Sequence, residues 1–192
     1  MREMSKEEKI EQLLTRGVES AVKKEALEKA LKGNKKLRVK FGIDPTAPDL
    51  HLGHAVVLRK LRAFQNLGHK LVLIIGDFTA QIGDPTGKNK TRPPLTEKEV
   101  KQNMKNYLKE AGKIIDLKKA EVHYNSKWLK KLQGGKLIQL LSLVSVQQMM
   151  ERDDFSNRMK AGETIRIHEL LYPVMQGYDS VEVRADVELG GT

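Results

Sequence analysis

The hydrophobic period of the sequence changes twice between residues 37 and 76, and this change limits the folds available to the chain. Apolar and polar residues first alternate from Leu37 to Ile43, as in a strand. From His51 to Leu67 the apolar residues recur at helical spacing, and Gly68 is a typical helix terminator. The uninterrupted apolar run Leu71–Ile75 is typical of a strand buried on both faces of a parallel sheet. Together they predict a βαβ unit with a right-handed crossover.

Two helices are predicted ahead of this unit. Ser5 and Glu8 form a capping-box pattern at the start of the first helix. The second helix carries Val22, Leu27 and Leu31, and Gly33 is expected to end it.

Downstream of the unit the elements alternate again. Gly83–Pro94 reads as a loop, Thr96 with Glu99 starts a helix, and residues 121–124 form a short strand. Residues 126–158 are expected to be helical, with core side chains supplied by Trp128, Leu132 and the run Leu137–Val144. A further helix covers about residues 167–178, and the alternation of Val181, Val183, Ala185 and Val187 predicts a last strand. The fold class is therefore α/β, with a doubly wound parallel sheet.

Basic residues are in excess, with 35 Lys and Arg against 25 Asp and Glu and a formal net charge of +10. The segment from residue 86 to residue 132 has 13 basic and 5 acidic residues. Both a lysine-rich solvated surface and a polyanion-binding face agree with this excess. The chain has no cysteine, which excludes disulfides and cysteine metal sites. Without an apolar leader or a membrane-length apolar run, we expect a soluble cytoplasmic protein that does not contact membrane.

Two histidines mark the first candidate site. His51 and His54 are three residues apart at the predicted start of a helix, where backbone N–H groups and the helix dipole attract anions. Gly53 lies between them and allows a flat group to approach the backbone. This point also follows a parallel strand, where open α/β sheets bind ligands, so the arrangement suits a triphosphate. A partly buried histidine is the ordinary alternative, and a zinc pair lacks an evident third ligand.

A polar stripe marks the second candidate site. Tyr172, Gln176 and Asp179 lie at i, i+4 and i+7 on an otherwise apolar helix. A solvated helix face and a buried face that binds a polar ligand both agree with this spacing, and the apolar flanks favour the buried face. Pro173 belongs either to the first turn of this helix or to a kink.

Six segments resemble the ordered motifs of bacterial tyrosyl-tRNA synthetases, which are class I aminoacyl-tRNA synthetases. The resemblance extends over essentially the whole chain. Its segments are Asp44–Thr46, His51–His54, Gly76–Thr79, Ile82–Gly87, Leu171–Ser180 and Asp186–Thr192.

The resemblance implies a Rossmann-like catalytic fold, tyrosine–tRNA ligase activity and a role for each matching residue. His51 and His54 are the implied catalytic residues, which stabilise charge on the ATP phosphates. The implied ATP-binding residues are Gly42, Asp44, Pro45, Thr46, His51, Gly53, His54, Gly190 and Gly191. The implied tyrosine-binding residues are Asp84, Tyr172, Gln176, Asp179 and Lys40. Asp179 is expected to accept the phenol hydroxyl, while Tyr172, Gln176 and Asp84 bind the α-amino group.

The resemblance also implies substrates, partners and a division of the chain. ATP acts as a substrate with Mg²⁺, no metal is bound by the protein, and the partners are L-tyrosine, tRNA(Tyr) and a second copy of the chain. Residues 1–34 are a helical lead-in, and residues 35–123 are the first half of the nucleotide-binding fold. Residues 124–165 are a helical insertion that forms the dimer interface, and residues 166–192 begin the second half.

Two departures from the family pattern affect these expectations. Lys40 occupies a strand position where many members have a second tyrosine that contacts the phenol hydroxyl. The family also continues beyond Gly190–Thr192 with a mobile lysine loop and an anticodon-binding domain. We therefore expect a truncated chain that is impaired or inactive alone. The alternatives are a tryptophanyl-tRNA synthetase, against which Asp179 argues, and a non-catalytic nucleotide- or RNA-binding module.

Overall fold

The predicted βαβ unit forms the centre of a four-stranded sheet. A computed structural model describes residues 4–47, 49–81 and 96–191. Their strands are β1 Arg38–Ile43, β2 Lys70–Ile75, β3 Glu121–Tyr124 and β4 Val187–Leu189. Their α-helices are α1 Lys6–Thr15, α2 Lys24–Lys32, α3 Leu52–Asn66, α4 Glu97–Ala111, α5 Ser126–Leu129, α6 Gly135–Leu141, α7 Val146–Met150, α8 Asp153–Lys160 and α9 Ile167–Glu182.

The strands lie in the order β3-β2-β1-β4, and each pairs with its neighbour in parallel. Val39 in β1 is opposite Leu71 in β2 and Val187 in β4. Because all four strands run in one direction, their carboxyl ends meet at one edge of the sheet. Chain order reverses on either side of β1, which is the place where doubly wound sheets bind ligands.

Helices cover both faces of the sheet, which explains the uninterrupted apolar run of β2. Leu71 and Leu73 pack in one cluster with Leu13 of α1 and Leu61 of α3. The alternate residues of β2 pack in a second cluster with Trp128 of α5 and Met175 of α9. Successive side chains of a strand point to opposite faces, so a strand between two helical layers is apolar at every position.

The helix signals of the N-terminal half are confirmed. Ser5 and Glu8 form the capping box of α1, and Gly33 is the C-cap of α2. Gly68 follows α3 with φ of +89°, a backbone conformation that favours glycine. Val22 is a correction, because it precedes α2 and is 87% exposed.

The predicted strand around Val181 is wrong for most of its length. Helix α9 continues to Glu182, and only Val187 of the four alternating valine and alanine positions lies in a strand. Met175 and Val183 both contact the second apolar cluster, eight residues apart on one face of α9 and its C-cap. Packing at helical spacing therefore outweighs the short period-2 pattern. Pro173 lies inside α9, beyond its first turn.

The segment 126–158 also differs from the expectation. It is helical, but it divides into four short helices, α5 to α8. Trp128 is buried as expected, whereas the run Leu137–Val144 supplies no buried side chain and Leu143 is 76% exposed. Within the described residues, none of the helices combines the length and the hydrophobicity that crossing a bilayer requires.

Candidate active site

The turns after β1, β2 and β3 contribute a connected group of polar side chains at the carboxyl edge of the sheet. Asp44 follows β1, Thr79 lies in a 3₁₀ turn after β2, and Asn125 follows β3. Asn125 donates from Nδ2 to Thr79 Oγ1 at 3.0 Å, and its Oδ1 accepts from the Phe78 N–H at 3.0 Å. The polar side chains of three separate turns are thereby fixed relative to one another.

Asp44 joins this group to helix α9. Its Oδ1 accepts a hydrogen bond from the Thr79 hydroxyl at 2.8 Å, and its Oδ2 accepts one from the Tyr172 hydroxyl at 2.9 Å. Asp44 was expected on the nucleotide side of the site and Tyr172 on the tyrosine side. Their direct contact shows that the two candidate regions are adjacent.

Gly76 makes the contact between Asp44 and Thr79 sterically feasible. A Cβ atom at Gly76 would lie 1.8 Å from Asp44 Oδ1 and 2.4 Å from Thr79 Oγ1. No side chain can occupy that space without displacing both polar groups. Glycine at the end of β2 is therefore a requirement of the site itself.

Asp179 is the buried end of the polar group. Asp179 is only 4% exposed, and its Oδ1 accepts from Trp128 Nε1 at 2.7 Å. Its Oδ2 accepts from Asn125 Nδ2 at 3.2 Å. Burial raises the pKa of Asp179, while the bonds from Trp128 and Asn125 and the charge of Lys40 lower it. An ionised carboxylate has about four acceptor positions, so two donors leave it with capacity for a ligand.

The two histidines cap the start of helix α3. His51 is its N-cap, and His51 Nδ1 accepts from the Gly53 N–H at 3.1 Å. His54 Nδ1 accepts from the His51 N–H at 3.3 Å, and the ring centroids are 3.9 Å apart. Since Nδ1 accepts in each neutral ring, Nε2 carries the proton and is a donor for a ligand. Burial, and then the neighbouring His51, lower the pKa of His54, which favours that neutral form.

Gly53 lets the ring of His51 lie close against the backbone of α3. A Cβ atom at Gly53 would lie 2.9 Å from Cε1 of that ring. Gly53 also lines a cavity of about 1210 Å³, together with Gly190 and Gly191 after β4 and Val57 of α3. The cavity therefore brings together three of the glycines that the sequence assigned to nucleotide binding. It extends from there along the apolar sides of α1 and α2.

The remaining nucleotide candidates belong to the turn between β1 and α3. Gly42 lies within β1, opposite Ile74. The Pro45 carbonyl accepts from Asn103 Nδ2 at 3.0 Å, and the Thr46 N–H donates to the Asp44 carbonyl at 2.8 Å. Helix α4 thus holds this turn in place from the outside.

The other tyrosine candidates have contrasting environments. Tyr172 is half-buried, Gln176 is exposed and Asp179 is buried, so only the Asp179 end of the stripe is fully enclosed. Lys40 is fully buried, and its Nζ donates to the Gln176 carbonyl, to Ser180 Oγ and to Glu188 Oε1 at 3.1, 3.0 and 2.6 Å. Asp84 lies outside the described residues. Among the described residues no group of three His, Asp or Glu side chains could hold a metal ion.

The family model described as tRNA synthetases class I (W and Y) matches residues 31–192. The chain belongs to this family. Its parallel sheet and flanking helices form the class I synthetase catalytic fold, as the resemblance implied.

Two curated relatives illustrate the similarity within this synthetase family. The tyrosine–tRNA ligase of Francisella tularensis is 54% identical over 181 residues, which cover 94% of this chain and 46% of that protein. The tyrosine–tRNA ligase of Thermotoga maritima is 54% identical over 189 residues, covering 98% and 47% respectively. The chain thus spans about half the length of the curated relatives it matches.

Solved structures of other synthetases share the fold. A C-terminally truncated mitochondrial tyrosyl-tRNA synthetase from Aspergillus nidulans superposes with a TM-score of 0.79 at 25% identity, over 99% of this chain and 57% of that one. The tyrosyl-tRNA synthetase from Archaeoglobus fulgidus, solved in complex with L-tyrosine, gives a TM-score of 0.73 at 21% identity. That match covers 97% of this chain and 55% of the archaeal one.

The sequence does not predict three side chains of the candidate site: Thr79, Asn125 and Trp128. Asn125 could have been found, because it directly follows a parallel strand at the edge where such sheets bind ligands. The helical pattern predicts Trp128 as a core residue, and it is one, but its indole N–H also donates to Asp179. Periodicity identifies the buried face of a tryptophan without showing which acceptor its N–H meets.

Proposed function

We propose that the protein carrying this chain is a tyrosine–tRNA ligase, which activates L-tyrosine with ATP and transfers the tyrosyl group to tRNA(Tyr). The observation that carries the proposal is the Asp179 carboxylate, buried in α9 and held by Trp128 and Asn125. A carboxylate with two fixed donors and two remaining acceptor positions suits a ligand that ends in a hydroxyl group. The similarity to tyrosine–tRNA ligases supports the same assignment.

In the proposal Tyr172, Gln176 and Asp84 bind the α-amino group of tyrosine, and Asp179 accepts its phenol hydroxyl. Tyr172 precedes Asp179 by seven residues, which is about 10.5 Å along a helix at 1.5 Å per residue. That length exceeds the span between the amino group and the phenol oxygen of tyrosine by about the length of one hydrogen bond. The amino end of the ligand then lies near Asp44, which accepts the Tyr172 hydroxyl bond.

ATP is the second substrate in this proposal, accompanied by Mg²⁺, and the protein itself binds no metal. The Nε2–H groups of His51 and His54 donate to the phosphates. Gly42, Asp44, Pro45 and Thr46 lie along the nucleotide, as do Gly53, Gly190 and Gly191. The shared cavity wall of Gly53, Gly190 and Gly191 supports this placement. Backbone surfaces without side chains allow a nucleotide to approach closely.

The chemistry of the first step needs no general base, because the substrate carboxylate is already ionised at neutral pH. A carboxylate oxygen attacks the α-phosphorus of ATP, the bond to the β-phosphate oxygen breaks, and pyrophosphate leaves with the electron pair. Negative charge develops on the phosphate oxygens, where fixed N–H donors stabilise it. In the second step a terminal ribose hydroxyl of tRNA attacks the tyrosyl carbonyl carbon, the bond from that carbon to the phosphate oxygen breaks, and AMP leaves while its phosphate takes up the hydroxyl proton.

The proposal includes a homodimer that joins through the segment 124–165. Large apolar side chains are exposed in this segment, with Ile138 at 68%, Leu143 at 76% and Val146 at 64%. Exposed apolar surface of this kind is typical of interaction sites. The basic excess of residues 86–132 supports attraction of tRNA. Residues 1–34, 35–123 and 166–192 are the lead-in and the two parts of the nucleotide-binding fold. We place the activity in the cytoplasm, with which a chain without cysteine agrees.

Amino-acid-dependent exchange between ATP and pyrophosphate tests the proposal in the full-length protein that carries this sequence. We expect exchange with tyrosine and little exchange with tryptophan or phenylalanine. Because the matching family model includes tryptophan enzymes, exchange with tryptophan alone would replace this proposal by a tryptophan ligase. Binding of tRNA with no exchange for any amino acid would identify a non-catalytic module.

A further inference from the structure

Lys40 is a buried cation beneath helix α9. It lies in β1 between Val39 and Phe41, which face the first apolar cluster, so its own side chain faces the second layer beneath α9. Its exposed fraction is 0%. Lysine is almost never fully buried unless it is paired, so the partners of this ammonium define its role.

All three N–H donors of the Lys40 ammonium have an acceptor. Glu188 is directly opposite Lys40 in the pairing of β1 with β4, and its Oε1 accepts at 2.6 Å. The Gln176 carbonyl and the Ser180 hydroxyl oxygen, both in α9, accept the other two bonds. Ser180 also donates to Glu188 Oε2 at 2.8 Å, so Lys40, Ser180 and Glu188 are each bonded to the other two. An ammonium has three donors and no acceptor, so Lys40 has none left for a ligand hydroxyl.

The two acceptors in α9, Gln176 and Ser180, lie on either side of Asp179 in the sequence. Gln176 and Ser180 are one helical turn apart, and Asp179 lies in that turn. Lys40 therefore ties the turn that carries Asp179 to β1, and through Glu188 it ties the same turn to β4. The groups that act on Asp179 from other elements are the neutral Asn125 and Trp128 side chains and two opposite charges, Lys40, which lowers its pKa, and Glu188, which raises it.

We propose that Lys40 is a positioning residue for recognition of the substrate hydroxyl, acting through its pairing with Glu188 and its bonds to α9, and that it does not contact the substrate. This inference rests on the proposed function, because it concerns how that site distinguishes tyrosine from phenylalanine. The charge of Lys40 has a second effect, since it favours the ionised form of Asp179 against the penalty of burial. The ionised form is the one that accepts hydrogen bonds at both oxygens.

The test compares Lys40→Met, Glu188→Ala and the double variant in the full-length protein. The readout is the ratio of kcat/KM for tyrosine to that for phenylalanine in pyrophosphate exchange. Lys35→Met is the matched control, because Lys35 also pairs with an acidic residue next to β4, Asp186, but is 70% exposed. Amide hydrogen exchange of residues 176–180 in ligand-free protein reports the positioning effect without any substrate.

We expect Lys40→Met and Glu188→Ala each to lower the ratio by about tenfold, the scale of one charge-assisted hydrogen bond. We expect the double variant to be no worse than Lys40→Met alone, because both changes break one coupled group. Amide exchange at residues 176–180 should accelerate in all three variants. Lys35→Met should change neither readout.

Direct contact between Lys40 and the hydroxyl predicts a different result. Glu188→Ala would then free an N–H donor, so the ratio would stay unchanged or rise while Lys40→Met lowers it, and that pattern overturns the inference. An unchanged ratio for Glu188→Ala does so even where Lys40→Met fails to fold. A wild-type protein without tyrosine-dependent exchange overturns the proposed function, and the inference falls with it. Active wild-type protein with unaltered variants overturns the inference alone.

Discussion

The two ends of the parallel sheet surround acidic side chains in different ways. At the amino end, Glu121 accepts two bonds from Arg38 at 2.9 and 2.7 Å and one contact from His123 at 3.0 Å, with Lys70 3.9 Å away. Its carboxylate is thus surrounded by cationic and ring N–H groups. At the carboxyl end, the fixed donors to Asp179 are the neutral groups of Trp128 and Asn125.

The surroundings of Glu121 favour a stable ion pair, whereas the surroundings of Asp179 are those expected of a binding site. The contacts of Arg38 with Glu121 hold the pKa of Glu121 at about 2, which stabilises a charge that is already paired. Burial instead raises the pKa of Asp179. Its carboxylate accepts from Trp128 and Asn125 and has acceptor capacity beyond these two bonds. A group held at some cost in a buried site is typical of a binding or catalytic centre.

The largest effect is expected at the carboxyl end for His54→Ala in the full-length protein. Loss of one donor that stabilises developing charge lowers a rate by about 10²–10³. We expect adenylate formation to slow by that factor, while tyrosine binding changes little, because His54 belongs to α3 and not to the α9 stripe. Single-turnover adenylation and equilibrium tyrosine binding measure the two effects. Near-normal adenylation by His54→Ala would show that His54 does not stabilise the charge that develops on ATP.

Asp179→Asn should have the next largest effect. It replaces an acceptor of the hydroxyl bond by a neutral amide, and a hydrogen bond to a charged group accounts for a factor of about 10–100. The ratio of kcat/KM for tyrosine to that for phenylalanine should fall by about a hundredfold, with phenylalanine use nearly unchanged. A variant that keeps the wild-type ratio would show that another group recognises the hydroxyl.

Gly76→Ala tests whether packing at the carboxyl end is as tight as the contacts indicate. The new Cβ atom meets Asp44 Oδ1 at 1.8 Å, so we expect the free energy of unfolding to fall by about 1–3 kcal/mol. Gly177→Ala is the matched control, because apart from the adjacent helix backbone no atom lies within 4 Å of its Cβ position in α9. Alanine in a helix should raise stability there by up to about 1 kcal/mol. Denaturant unfolding of both variants checks the opposite signs, and equal stabilities would contradict them.

The smallest effect is expected at the amino end. The folded pKa of Glu121, about 2, lies below its ordinary value of 4.5, so its contribution is present above about pH 4.5 and is lost as pH falls toward 2. Because Arg38 and Glu121 are each about 30% exposed, we expect Glu121→Gln to cost only about 1 kcal/mol at pH 7. Unfolding curves of variant and wild type should converge between pH 4.5 and pH 2. A constant difference across that range would contradict the assignment to Glu121.

Much of the fold could be predicted because its signals are local. The capping box of Ser5 and Glu8, the apolar run of β2 and the glycine after α3 each depend on residues a few positions apart. The failures have a common cause. The alternation around Val181 and the apolar run Leu137–Val144 have the same local patterns in a strand, a core helix or an exposed interface. Long-range packing decides among those states, and periodicity contains no information about it.

For the candidate site, the sequence alone predicted which residues could carry chemistry: the histidine pair at the start of a helix and the stripe from Tyr172 to Asp179. Only the tertiary structure decided which of them meet. It placed the Tyr172 hydroxyl on Asp44, 128 positions away in the chain, and the Trp128 indole N–H on Asp179. It also showed that the donors of Lys40 are already occupied. Hydrogen bonds act over about 3 Å, so their partners are set by how strands and helices pack, whatever their separation in sequence.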